Sequence, residues 1–496
     1  MHALVVTASA LGLHPLAGRL VPVGILTLSL LAALWLALGA RGGPHAAAED
    51  DAAPITAGIA IAARLLWWLG VGASVLALCS ALLLPIVAYD AVAYRLPVIA
   101  QWLDLGRIEW VHTDDAVRNG YPLGQEAISA VIAAATGGFR FAGAISIVFV
   151  LQGALALAHL ARACGVRSQF AHAASGLFLI VPMTVLNEPS AYVDAAFAGA
   201  TVAWLCTLCA FACDLEPRRE MAIAAGLSGA LVLALKGTGV AFVVAPLFVM
   251  ALYSLWGRYR RAGSISLSIV GLSSWALLCL VICPGAFWAL RNVIHTGNPL
   301  WPVTLSVAGF TVFPGQATMA QVLDVTHNTP TQIATLPAAL RTAFTWLQLS
   351  GPAVDFDDRL AGLGYAWPLF ALPAVVWVLV QPLRAQRRRL LPVASVILLT
   401  ALCLVLQPMN WWPRYTLWLW GAGALALAAS AEAVVSSHAQ NAVIWVQRGM
   451  LALLIVSGSE GIFALCHVQG AQLALSRGAR AGDLALAFDV RRGLNA

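Results

Sequence analysis

Apolar runs long enough to cross about 30 Å of hydrocarbon recur along almost the whole of this chain, and no other feature limits its fold so tightly. They fall near residues 20–40, 66–88, 141–161, 169–186, 193–213, 220–235, 239–256, 264–288, 367–383, 390–406, 415–435 and 444–466. Lipid offers no partner to backbone N–H and C=O groups, so segments of this kind must satisfy themselves as helices. Of the 496 residues, 61% are hydrophobic and 10% charged, against about 25% charged in a soluble domain. The pattern predicts an all-α polytopic membrane protein with about 11–13 transmembrane helices, organised as a single transmembrane domain over residues 1–496. The run 20–40 lacks a basic flank and a clear small-residue cleavage site, so it reads as a retained helix rather than a signal peptide. No soluble domain is expected at either end, and the stretch 468–496 is too short for one.

Charge supplies the orientation. The formal net charge is +6, almost all of it from arginine, and Lys236 is the only lysine. Arginines cluster at Arg162/Arg167, Arg218/Arg219, Arg258/Arg260/Arg261 and Arg384/Arg387/Arg388/Arg389. Such clusters in short loops set topology and need no nucleic-acid partner. With all four in the cytoplasm the helices alternate consistently, and two larger stretches face the other side: 89–140 and 289–366. Residues 123–136 begin with polar Gln125 and Glu126 and read as an interfacial helix of the first outer loop. Residues 331–349 read as an amphipathic surface helix in the second. Cys206, Cys209 and Cys213 have helical spacing and no accompanying histidine, which marks them as packing residues rather than metal ligands.

The polar residues expected on the outer face are few and varied. Asp90 follows an apolar run and opens a loop containing Tyr94, Arg95, Asp114 and Asp115. Asp194 and Lys236 sit at junctions between spans, and Arg291 with Asn292 opens the second outer stretch. Arg414 lies in Asn410-Trp-Trp-Pro-Arg414-Tyr415. Ionisable groups near hydrocarbon persist where they pair or do chemistry. Each also has a plainer reading: Arg291 and Arg414 as snorkelling anchors, Asp194 as a helix N-cap, Lys236 as a terminal anchor. Glu460, inside the last run, reads as a packing or proton-related residue. A carboxylate beside several cations at a membrane surface suits group transfer from a lipid-linked phosphate. The carboxylate takes the proton of the acceptor hydroxyl, and the cations stabilise charge on the leaving phosphate. No HExxH or phosphate-loop spacing is present, and His112, His295 and His327 are scattered.

At these residues the chain resembles the GT-C class of polytopic glycosyltransferases, which includes bacterial aminoarabinose lipid A transferases and protein O-mannosyltransferases. The resemblance covers roughly residues 60–440. Asp90-Ala-Val-Ala-Tyr94-Arg95-Leu-Pro97 is similar to the D-x-x-x-Y-H-L-P opening of the first outer loop. Gly120-Tyr121-Pro122 with Glu126, Tyr192-Val-Asp194, Arg291-Asn292 with Thr296-Gly-Asn298-Pro, Gly362-Leu-Gly364 and Pro413-Arg414-Tyr415 resemble further segments in the same order. Arg95 departs from the pattern, since it stands where many relatives carry His and cannot exchange a proton near neutral pH.

The resemblance implies a GT-C fold with periplasmic juxtamembrane helices in the first outer loop and a site facing the periplasm across a bacterial inner membrane. It implies a polyprenyl-phosphate sugar donor, a periplasmic glycan, lipid or protein acceptor, and inversion at the anomeric carbon. Asp90 is then the general base. Arg291, Arg414, Lys236 and Arg95 are the expected phosphate contacts. Asp194, Asp114, Asp115, Glu126, Asn292 and Tyr94 are expected around the acceptor or behind the site, and Asp114/Asp115 compete with Asp90 for the base role. No cofactor is expected for transfer of a single sugar. Oligosaccharyltransferases of the class use a divalent ion, for which Asp90, Asp114 and Asp194 are candidate ligands. The alternatives are a lipid-linked sugar flippase or transporter, and an oligosaccharyltransferase or polysaccharide ligase.

Overall fold

The computed structural model describes residues 55–478, apart from 85, 112, 114, 115, 214–217, 263–268, 308, 354, 382–386, 438 and 439. Each apolar run predicted within those residues contains a helix. The run 20–40, Asp114 and Asp115 lie outside the described residues. Among the described residues six helices are long and apolar enough to cross a membrane: Ala57–Leu83, Ile145–Ala163, Val193–Ala212, Gly239–Gly257, Gly271–Thr296 and Asn441–His467. Ser168–Ile180 and Pro182–Ser190 form an apolar pair bent by 56°, a broken span or a re-entrant loop. The bend falls at Pro182, which has no N–H to give and disfavours helix at Val181. Shorter apolar helices occupy Trp367–Val380, Leu390–Leu406 and Leu419–Val435, and a further helix runs over Arg218–Leu235.

Small residues set the packing. Val193–Ala212 is the central helix, with 94% of its apolar window buried against 28% for Gly239–Gly257. A Cβ on Gly199 would strike the backbone of Phe149, and one on Gly176 the backbone of Leu66. These glycines let whole helices touch, the usual device where lipid-facing apolar surface supplies no drive to associate.

The first described helix ends at Leu83, earlier than the predicted 88, and Asp90 does not cap it. Residues 86–88 have no regular structure. Asp90 instead precedes a wide π-helical turn, Ala91–Arg95, that leads into the helix Leu96–Leu105. Pro97 follows directly on that turn, at the start of the α-helical stretch. Val98, Ile99 and Trp102 of that helix pack with Ala127, Ala130 and Trp288. The predicted interfacial helix is observed as Gly124–Thr136. Together these two helices form a platform beside the spans.

Arg291 and Asn292 ride on a helix, Phe287–Thr296, rather than opening a loop. Beyond it, Leu305–Val307 and Phe310–Phe313 form an antiparallel hairpin that the sequence reading did not anticipate. The predicted helix 331–349 is two, Thr331–Ala334 and Ala338–Trp346, because Pro337 cannot continue the first. Ile333 packs there with Met409, Trp411 and Trp412.

Candidate functional site

Pro413 starts a single 3-10 turn, Pro413–Thr416, between two apolar helices. That turn drives Arg414 inward until it is 5% exposed. Its guanidinium lies 4.4 Å from the ring centre of Trp412, 4.9 Å from that of Tyr192 and 5.1 Å from that of Tyr415. Rings of this kind stabilise a desolvated cation, and carboxylates complete the shell. Arg414 Nη1 donates to Asp90 Oδ2 at 3.0 Å. The same nitrogen is 3.0 Å from Asp357 Oδ1, an ion pair whose angles do not make a hydrogen bond. Asp194 Oδ2 stands 4.0 Å from Arg414 Nε.

Asp194 lies in the first turn of Val193–Ala212, where the helix dipole favours negative charge. Tyr192, not Asp194, is the N-cap. The other Asp194 oxygen accepts from Lys236 Nζ at 2.5 Å. Lys236 comes from the short link between Arg218–Leu235 and Gly239–Ala262, and its ammonium is 3.8 Å from the Tyr415 ring centre. Burial lowers the Lys236 pKa from its ordinary value, and Asp194 pulls it partly back. Tyr192 ties the set together, its hydroxyl accepting from the Asp90 N–H at 3.3 Å.

Exposure separates the roles available to these groups. The side chains of Arg414 and Asp194 are 5% and 4% exposed, those of Asp90 and Lys236 both 18%, and that of Asp357 32%. Arg414 and Asp194 therefore form the floor, and Asp90, Lys236 and Asp357 form the face that a ligand can reach. Asp90 Oδ1 has no partner among the described residues. Burial pushes the Asp357 carboxyl up to about 6, with Arg414 opposing and the neighbouring Asp90 charge adding to the rise.

Asp357 was not singled out in the sequence. Its only signal was an acidic run, Asp355-Phe-Asp357-Asp358, shortly before Gly362-Leu-Gly364. The other expected site residues fall elsewhere. Arg95 is buried and paired with Glu126, and donates to the Tyr94 hydroxyl at 3.4 Å. This pair joins the π-helical turn to the helix Gly124–Thr136. Asn292 donates to the Gly120 carbonyl at 3.0 Å, and Arg291 donates to the Asn119 carbonyl. No contact among the described residues joins Arg291 to Asp90, Asp194, Lys236 or Arg414. Glu460 has a structural partner: it accepts the Tyr365 N–H at 2.7 Å, just after Gly364.

Of the three candidate ligands for a divalent ion, Asp90 and Asp194 each have one oxygen engaged, by Arg414 and Lys236 respectively, and Asp114 lies outside the described residues. Among the described residues no three His, Cys, Asp or Glu side chains group as a metal site.

No protein-family model matches the chain, and no curated protein matches it in sequence. Among solved structures it is similar to the Archaeoglobus fulgidus oligosaccharyltransferase in its apo form, at 14% identity and a TM-score of 0.47, covering 82% of this chain and 56% of that one. It is also similar to the archaeal oligosaccharyltransferase AglB from Archaeoglobus fulgidus in complex with an inhibitory peptide and a dolichol-phosphate, at 14% identity and a TM-score of 0.43, covering 82% and 55%. The chain thus spans little more than half the length of the solved proteins it matches.

Proposed function

We propose that this chain is a membrane glycosyltransferase of the GT-C class. It transfers a sugar from a polyprenyl-phosphate donor to an acceptor hydroxyl on the periplasmic face of a bacterial inner membrane. The observation that carries this reading is the convergence of Asp90, Asp194, Lys236, Asp357 and Arg414 from distant parts of the chain beside apolar helices. Simple anchoring needs single cations reaching water. A buried guanidinium beside three carboxylates, with a lysine alongside, is built to hold charges in fixed positions.

Asp90 Oδ1 takes the proton of the acceptor hydroxyl. The hydroxyl oxygen bonds to the anomeric carbon from the face opposite the phosphate. The carbon–oxygen bond to the phosphate breaks, its electron pair leaves on the phosphate oxygen, and the configuration inverts. Lys236 receives that charge, since among the described residues only one of its three donors is engaged, by Asp194. Arg414 acts through Asp90 by fixing the direction of its free oxygen. No step needs a metal.

The test is reconstitution of the purified chain in proteoliposomes with a radiolabelled polyprenyl-phosphate sugar and a hydroxyl-bearing lipid acceptor. Labelled glycosidic product supports the reading. Movement of labelled donor between leaflets without product contradicts it and identifies a flippase.

A further inference from the structure

Arg291 lines a cavity of about 590 Å³, between the helix Phe287–Thr296 and the segment that follows Leu96–Leu105. Its side chain is buried, 7% exposed, yet among the described residues it has no carboxylate partner. Nη2 and Nε donate to the Asn292 amide oxygen at 2.9 and 3.3 Å, and Nη2 also to the Asn119 carbonyl. Nη1 has no partner. The guanidinium is clamped between two indoles, 5.1 Å from the ring centre of Trp110 and 4.7 Å from that of Trp288. A buried charge held this firmly without a counter-charge is costly unless something anionic completes it.

The rest of the cavity narrows the class of anion. Arg107, at its rim, is already neutralised by Glu109 at 2.6 Å, so among the described residues Arg291 is the arginine of the lining that has no acidic partner. His295 sits one helical turn on and stacks on Trp110 at 4.5 Å, adding an imidazole N–H to the lining. Leu290 and Ile294 form an adjoining stripe on the same helix, 58% and 73% exposed, within an apolar span-length stretch, Gly271–Thr296. A polar head thus has a cation at depth, and a hydrocarbon chain has a wall leading out along the lipid-facing stripe.

We infer that this cavity binds the phosphate head of a membrane lipid, at a site separate from the Asp90 cluster. The inference does not rest on the transfer reaction.

The full chain in detergent is titrated with radiolabelled dioleoyl phosphatidic acid, and separately with dioleoylglycerol, which has the same tails and no phosphate. Saturable binding of phosphatidic acid is expected, with Arg291→Gln weakening it by about tenfold or more, a loss of the size expected for one charged contact. Arg107→Glu alters only an exposed rim residue, so it leaves the fold intact. It is expected to weaken binding several-fold by placing a second acidic side chain beside Glu109. Equal binding of dioleoylglycerol, undiminished binding by folded Arg291→Gln, or no effect of Arg107→Glu overturns the inference. Displacement of phosphatidic acid by equimolar inorganic phosphate overturns it too, by showing that a free anion suffices. Asp90→Asn is expected to bind phosphatidic acid normally, so failure here is distinguishable from failure of the transfer reading.

Discussion

Asp90 and Arg414, 324 residues apart in sequence, share a hydrogen bond of 3.0 Å. That bond ties the segment after the first described helix to the turn Pro413–Thr416 near the other end of the sequence. Because Arg414 also faces Asp357 and Asp194, it is the counter-charge of three carboxylates at once.

Replacing Arg414 by Gln leaves those carboxylates facing one another. Loss of one partner of a buried pair costs about 3–5 kcal/mol, and partial exposure of Asp90 and Asp357 brings the expectation to about 3 kcal/mol. Thermal unfolding in detergent reads it directly. Arg414→Lys is expected to recover little, since an ammonium cannot reproduce the planar fork.

Asp357 predicts a pH effect whose sign is fixed by its environment. Burial raises its pKa from 3.8 to about 6 in the folded protein, so the folded state binds the proton more tightly than the unfolded chain. Its contribution is fully present below the unfolded value and is lost as the pH rises through about 6. Between pH 4 and pH 7 the wild type should lose on the order of 1–2 kcal/mol relative to Asp357→Asn, after allowance for solvent exposure. Parallel stability curves for the two proteins would remove Asp357 from the coupled set.

The glycine contact between Gly176 and Leu66 predicts a contrast within the helical bundle. Gly176→Val forces apart two touching backbones and should cost about 3 kcal/mol or more. Gly72→Ala meets open space and should be neutral or stabilise by about 0.5–1 kcal/mol. Comparison of the two midpoints checks whether the close crossing, rather than glycine itself, matters.

Glu460 should act as a strap. Glu460→Ala removes the acceptor for the Tyr365 N–H, an expected loss of about 1–3 kcal/mol. Hydrogen exchange should rise at residues 364–366 while the helix Val193–Ala212 stays protected.

The spans were readable because hydrocarbon imposes one simple rule on composition, which the run 193–213 and the helix Val193–Ala212 illustrate. Asp90, Asp194, Lys236 and Arg414 were readable as a group because charge pattern assigns a side of the membrane. Side does not determine neighbour. Arg291 was grouped with them by side, yet helix rotation turns it toward Asn119 and Trp110. Arg95 was expected at the ligand, yet it pairs with Glu126 across 31 residues, a distance that no local pattern encodes. Asp357 lay unmarked in an acidic run, and only the fold brings it to Arg414. The same limit applies to helix ends: the helix stops at Leu83, so Asp90 lies beyond the span it was expected to terminate.

The central claim is that Asp90 removes the acceptor proton. Asp90→Asn keeps the size of the side chain and an oxygen for Arg414, and removes the basicity. Turnover measured with a polyprenyl-phosphate sugar, on protein shown to be folded, is expected to fall by about 10²–10⁴-fold, with little change in donor binding. Turnover undiminished in Asp90→Asn contradicts the account.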